Sequence, residues 1–207
     1  MQTSTPALPS ELLTGPTYTY GTYRSLVDEL LAKGQTTGEN HSEAMLHYTR
    51  MNQQRMKRWD KTALVPETLE RLLGGLKQPQ RWIVLTEAWC GDAAQSIPFL
   101  AKMAEVSASI SLDLVLRDQN SALMAAFLTN GAQSIPKLIA CDVATGEVCF
   151  TWGPRPAVLQ EKVIAYKANP AGQTQEEFIA SIHRWYTDNK NQAIAAEFEV
   201  LLKPFTL

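Results

Sequence analysis

Among the side chains able to act as nucleophiles, acids or metal ligands, three cysteines stand out: Cys90, Cys141 and Cys149. A thiol reacts as its thiolate, so what matters for each is whether its surroundings favour the anion. Cys90 lies in Glu87-Ala-Trp-Cys-Gly-Asp-Ala, between an apolar run, Trp82 to Thr86, and a helical pattern of Ala94, Ile97, Leu100, Ala101 and Ala104. That order puts it at the start of a helix, where unpaired backbone N–H groups and the positive end of the dipole lower a thiol pKa. Asp92 suits a helix N-terminus but opposes a neighbouring thiolate, and Glu87 adds to the opposition, so the sign of the net shift stays open. Cys141 and Cys149 flank a hairpin and read as small buried hydrophobes. His41, His47 and His183 show no ligand spacing with the cysteines, which predicts no metal site.

The elements around these residues fall into two regions. Tyr23, Leu26, Val27, Leu30 and Leu31 form one helical stripe that stops at Gly34. A second helix is expected with Asn40 as cap, Glu43 three residues on, and Met45, Tyr48, Met56 and Trp59 along its buried side. Its Arg50, Arg55, Lys57 and Arg58 read as a solvated basic face. Pro66 opens a short third helix carrying Leu69, Leu72, Leu73 and Leu76. From Trp82 onward strand and helix alternate. Trp82 to Thr86 has the continuous apolar character of a strand covered on both faces. Ile110, Leu112, Leu114 and Leu116 give a second strand, and Leu123, Met124, Phe127 and Leu128 a helix ending at Asn130-Gly131. Lys137 to Cys141 and Glu147 to Trp152 form a hairpin, followed by a helix to about Lys167. Thr174 and Glu177 cap a final helix striped by Phe178, Ile179, Ile182, Trp185 and Tyr186.

Composition narrows the classes. The chain has 207 residues and is 45% hydrophobic, which suits one enlarged domain better than two. A formal net charge of -2 gives no general pull toward phosphate backbones or anionic lipid, so neither nucleic acid nor a membrane is an expected partner. Met1 to Ser10 is polar and proline-dotted, unlike a signal peptide, and no stretch approaches the ~20 apolar residues of a spanning helix. Three unevenly spread cysteines point to a reducing, cytoplasmic setting rather than a disulfide framework.

The sequence of strand, Trp89-Cys90-Gly91, helix, strand, helix, Ile135-Pro136, hairpin and helix resembles the thioredoxin family over roughly residues 81–167. Pro98 falls eight residues after the cysteine, where family members often have a helix-kinking proline, and Gly146 and Gly153 lie close to family glycines. From about Tyr20, through Glu87-Ala-Trp-Cys-Gly-Asp-Ala and Thr151-Trp-Gly-Pro-Arg-Pro, the chain is similar to a bacterial branch of that family. The resemblance implies an α/β thioredoxin fold, three α/β/α layers around a central mixed sheet. One domain, 21–207, would comprise an N-terminal helical extension (21–78), a thioredoxin core (80–168) and a long C-terminal helix (174–203), preceded by a flexible tail over 1–20. It also implies a cis peptide bond at Ile135-Pro136, facing Cys90.

Departures from the family pattern shape the functional expectation. Ala93 stands where dithiol members carry a resolving cysteine, Val84 where many bury an aspartate, and Asp92 where a proline is usual. Cys90 is therefore expected to be less acidic than a dithiol enzyme's nucleophile and to act as a monothiol. The resemblance implies thiol-disulfide exchange at Cys90 on protein or small-molecule disulfides, with Trp89, Gly91, Asp92, Ile135 and Pro136 binding the substrate. An external low-molecular-weight thiol would be the resolving co-substrate, with no other cofactor. A non-catalytic protein-binding module and a redox sensor are the alternatives, and Trp152 and Arg155 either line the same face or form a surface turn. The sequence leaves the oligomeric state open.

Overall fold

In the computed structural model, residue 8 and residues 10–206 are described. Five strands form one mixed sheet in the order β1-β3-β2-β4-β5. At its centre is β2 (Gln80–Thr86), buried at every position but Arg81. It runs parallel to β3 (Ile110–Leu116) and antiparallel to β4 (Lys137–Asp142), which pairs with β5 (Val148–Trp152) through the hairpin. Successive side chains of a strand point to opposite faces. Trp82 and Val84 accordingly join a core with Trp59, Phe99, Phe150 and Phe198, while Ile83 and Leu85 face Val115, Leu123, Met124 and Ile139.

The first face is covered by α1 (Tyr20–Ala32), α2 (Glu43–Thr62), α3 (Glu67–Gly74), α4 (Gly91–Glu105) and α8 (Gln192–Leu202), and the second by α5 (Ser121–Ala126). Burying one Trp or Phe side chain is worth about 1.5–3 kcal/mol, so the Trp82, Phe150 and Phe198 cluster alone is a substantial part of what holds α8 to the sheet. The remaining pair, α6 (Ala157–Ala168) and α7 (Gln175–Asn189), packs together through Leu159, Val163, Ile182 and Tyr186. Among the described residues no helix is long and apolar enough to cross a membrane.

Several local expectations change. Within the stretch 1–20, Thr17–Tyr18 form β1, paired with Val115 and Leu114 of β3, and the partly buried Leu8, Leu12 and Leu13 pack on the second core. Residues 1–7 and 9 of that stretch lie outside the described residues. Ser42, not Asn40, occupies the N-cap position of α2, and the Asn40 side chain instead accepts the Ser42 N–H at 3.0 Å. Helix α5 stops at Ala126, and Asn130 and Gly131 make a turn bridged from Thr129 to Ala132. The C-terminal helical segment starts on its capping box at Thr174 but is divided into α7 and α8 by Lys190 and Asn191, whose φ values of 51° and 64° are left-handed. That break lets α7 lean over α4 while α8 returns to the sheet.

Candidate functional site

Cys90 is the N-cap residue of α4, and its carbonyl accepts the Ala94 N–H at 3.1 Å. Its side chain makes no cap hydrogen bond, and the backbone N–H groups of Asp92 and Ala93 at the helix start act on the sulfur by favouring its anion. Across the sheet end, the thiol donates to the Ile135 carbonyl at 3.3 Å, and the Ile135-Pro136 peptide bond is cis. Burial, and next the Asp92 carboxylate, push the Cys90 thiol up to about 12, against the lowering pull of the backbone N–H groups and Arg155. The sign that the sequence left open is therefore upward: desolvation outweighs the helix terminus.

Asp92 is held by two partners from distant parts of the chain. Arg155 ion-pairs with it, its Nε donating at 3.1 Å, and the Tyr186 hydroxyl donates to the other carboxylate oxygen at 2.8 Å. Glu87, fully buried, accepts the Asp118 N–H at 3.0 Å, and burial raises its carboxyl pKa. Trp89 is partly buried against the second core, with the Arg117 guanidinium 4.9 Å from its ring centroid.

Above the cysteine lies a chamber of about 320 Å³ whose floor is Trp89, Cys90, Gly91 and Asp92. Its walls come from Met45, Tyr48 and Arg55 of α2, Val163 of α6, and Phe178, Ile179, Ile182 and His183 of α7, with Arg155 at one side. A buried polar network fixes two of these walls. Asn52 donates to the Ala88 carbonyl at 2.9 Å, tying α2 to the loop before Cys90, and accepts Arg55 Nη1 at 2.6 Å. Gln95, 1% exposed on α4, accepts from Trp59 Nε1 at 2.6 Å and Arg58 Nη2 at 3.1 Å. Both of those partners are obligate donors, so the Gln95 oxygen is identified and its amide nitrogen must donate to His183 Nδ1, 3.2 Å away. Burial, and next the Arg55 charge, lower His183 to about 4, so the ring is neutral at neutral pH and carries its proton on Nε2.

The structure thus brings Trp89, Cys90, Gly91 and Asp92 together around one chamber. Ile135 meets the sulfur through its carbonyl, but the Ile135 and Pro136 side chains are buried and do not line that chamber. Trp152 is elsewhere, donating to Glu197 at 2.6 Å, whereas Arg155 reaches the site through Asp92. Cys141 and Cys149 stand outside the chamber. The residues missed from sequence are Arg55 and His183, along with Met45 and Tyr48, which face the chamber rather than the core; Leu46, Thr49 and Asn52 are buried in α2 instead. One signal was present: His183 sits in phase with Ile179, Ile182 and Tyr186, a polar residue on an apolar stripe. Among the described residues no group of three or more His, Cys, Asp or Glu side chains is placed to hold a metal ion.

Two solved structures are similar over 90% of the chain: a protein of unknown function from Pseudomonas aeruginosa, with a TM-score of 0.52, 12% identity and 98% of that chain covered, and an HIV epitope-scaffold, with 0.51, 12% and 99%. At such identity the likeness concerns the fold alone. No curated protein matches the chain. The family model described as thioredoxin matches residues 38–169, from before α2 to the end of α6. With well over half the chain inside that match, and its mixed sheet and helices arranged as described above, the chain belongs to the thioredoxin family.

Proposed function

We propose that the protein is a monothiol member of the family that exchanges disulfides through Cys90. The observation that carries the reading is a single sulfur on the chamber floor, 3.3 Å from the Ile135 carbonyl, with no second thiol among the chamber's residues. In the exchange, the Cys90 proton passes to solvent and the thiolate attacks one sulfur of a disulfide. The Cys90–S–S–R bond forms as the substrate S–S bond breaks, and the departing thiolate takes up a proton. A second, external thiol then attacks the mixed disulfide, re-forming an S–S bond with R and returning Cys90 to its reduced state. Trp89, Gly91 and Asp92 frame the approach to the sulfur. The partners in this reading are protein or small-molecule disulfides in a reducing, cytoplasmic compartment, with a low-molecular-weight thiol as co-substrate.

The same geometry supports a second reading. A thiol pushed up to about 12 is protonated at neutral pH, which suits a binding module whose cysteine takes no part in turnover. Single-turnover exchange followed by mass spectrometry separates the two. The monothiol reading expects one mixed disulfide on Cys90, one equivalent of released thiol, and loss of both in Cys90→Ala. Release that persists in Cys90→Ala, or no adduct on the unaltered protein, rejects it.

A further inference from the structure

Arg55 and His183 approach one point of the chamber from opposite walls. A methyl group built on Gly91 would lie 3.7 Å from Arg55 Nη1, 3.1 Å from His183 Nε2 and 2.6 Å from His183 Cε1. At 2.6 Å from a ring carbon that point has no room for an atom, so glycine lets the His183 ring close onto the start of α4, and the two nitrogen-bearing side chains stand near each other on the chamber's lining. Neither has an acidic partner among the described residues: the ion pairs there do not include Arg55, whose Nη1 donates only to the neutral Asn52, and His183 spends Nδ1 on Gln95, leaving Nε2–H facing the chamber. Asp92, the one carboxylate on the floor, is already engaged by Arg155 and Tyr186. The charge left over beside Gly91 is therefore positive. The rest of the wall, Met45, Val163, Phe178, Ile179 and Ile182, is apolar, with the Tyr48 phenol beside them.

We propose that this chamber binds a small organic anion: an apolar body against α2 and α7, and a carboxylate or similar group between Arg55 and His183, beside the Cys90 sulfur. The volume of about 320 Å³ lies at the small end of ligand pockets and is bounded by helices on two sides, so a compact molecule fits where an extended peptide strand would not. Desolvation by those apolar walls strengthens the attraction between the guanidinium and an entering anion, and a charge-assisted hydrogen bond fixes its orientation. This inference rests on the monothiol reading only for the identity of the substrate: it makes the exchanging disulfide an acidic, apolar one.

Isothermal titration calorimetry of the full chain carrying Cys90→Ala tests binding without reaction, using 4-phenylbutyrate, its amide and 4-phenylbutylamine as probes. The acid should bind, the amide about tenfold more weakly, as expected for loss of one charge-assisted hydrogen bond, and the amine not at all. Adding Arg55→Gln should lower acid affinity about tenfold while leaving the amide unchanged, and Arg55→Lys should restore most of the loss. No binding of the acid, equal affinity for acid and amide, or indifference to Arg55→Gln overturns the proposal. A parallel exchange assay on the Cys90 protein compares 5,5′-dithiobis(2-nitrobenzoate) with neutral 4,4′-dithiodipyridine. Acid binding without any adduct on Cys90 rejects the monothiol reading and keeps the anion site; exchange with no preference for the acidic disulfide rejects the site and keeps the exchange.

Discussion

Arg155, in the turn before α6, holds the Asp92 carboxylate at the start of α4, so the one acid next to the Cys90 sulfur is neutralised by a residue from the far side of the hairpin. Asp92 raises the thiol pKa and Arg155 lowers it, and the pair sets how much of each reaches the sulfur. Asp92→Asn keeps a partner for Tyr186 while removing the charge. It should speed iodoacetamide labelling of Cys90 at pH 8 by about tenfold, and Arg155→Gln should slow it. Each should also cost about 3 kcal/mol in urea unfolding, because one member of a largely buried ion pair is left alone. Equal labelling rates in both variants would dissociate the pair from thiol reactivity.

The pH dependence of labelling follows from the same thiol. With its pKa pushed up to about 12, the folded protein should label ever faster up to that pH, about tenfold per unit, with no plateau near pH 9. Protein unfolded in urea should level off near the free thiol value. The folded pKa lies above the unfolded one, so Cys90 contributes stability that is fully present below about pH 8.5 and is lost as pH rises toward about 12. Unfolding followed across that window in Cys90→Ala should show a shallower decline.

His183 works in the opposite sense. Its folded pKa, lowered to about 4, lies below that of an unfolded histidine, so the unfolded chain takes up the proton first on acidification. The stability it contributes is present above about pH 6.5 and falls away as pH drops through about 4. Thermal unfolding of the His183→Gln protein over that range should lose less stability with acid than the unaltered chain. A parallel decline in the two proteins would assign the acid sensitivity to other groups.

Gly153 is needed for backbone approach. Its φ of 110° is a conformation other residues avoid, and a Cβ there would stand 2.1 Å from the Pro136 carbonyl oxygen. Gly153→Ala should destabilise the protein by about 3 kcal/mol or more by chemical denaturation, since both φ and the contact must give. It should also disturb Cys90 labelling, because moving Pro136 moves the Ile135 carbonyl that accepts the thiol. A neutral Gly153→Ala would mean that β5 slides freely against β4.

The sheet and the placement of Cys90 at a helix start were legible because each rests on local pattern. Trp82 to Thr86 is apolar on both faces, and the change to a helical period after Gly91 is abrupt. The roof of the site was harder to read. Met45 and Tyr48 have the side chains of core residues, and only the docking of α7 makes them chamber walls. Arg55 belongs to a run whose other members do face water or neighbouring polar groups, so composition could not single it out. The break at Lys190 and Asn191 escaped notice because neither is a glycine, yet both adopt left-handed φ. Helical periodicity continues on either side of the break, and a stripe says nothing about a change in axis.

The division of the C-terminal segment also orders events in time. Cys90 and the strands that present it are synthesised well before Phe178 to His183, so a nascent chain holds its sulfur uncovered until the last helices arrive. Oxidants and electrophiles meeting the growing polypeptide find an open cysteine, whereas the finished molecule offers one on the floor of a chamber walled by α2 and α7. A chain released early, at the end of α6, would lose that shelter together with Ile194 and Phe198, the α8 side chains packed into the sheet's core.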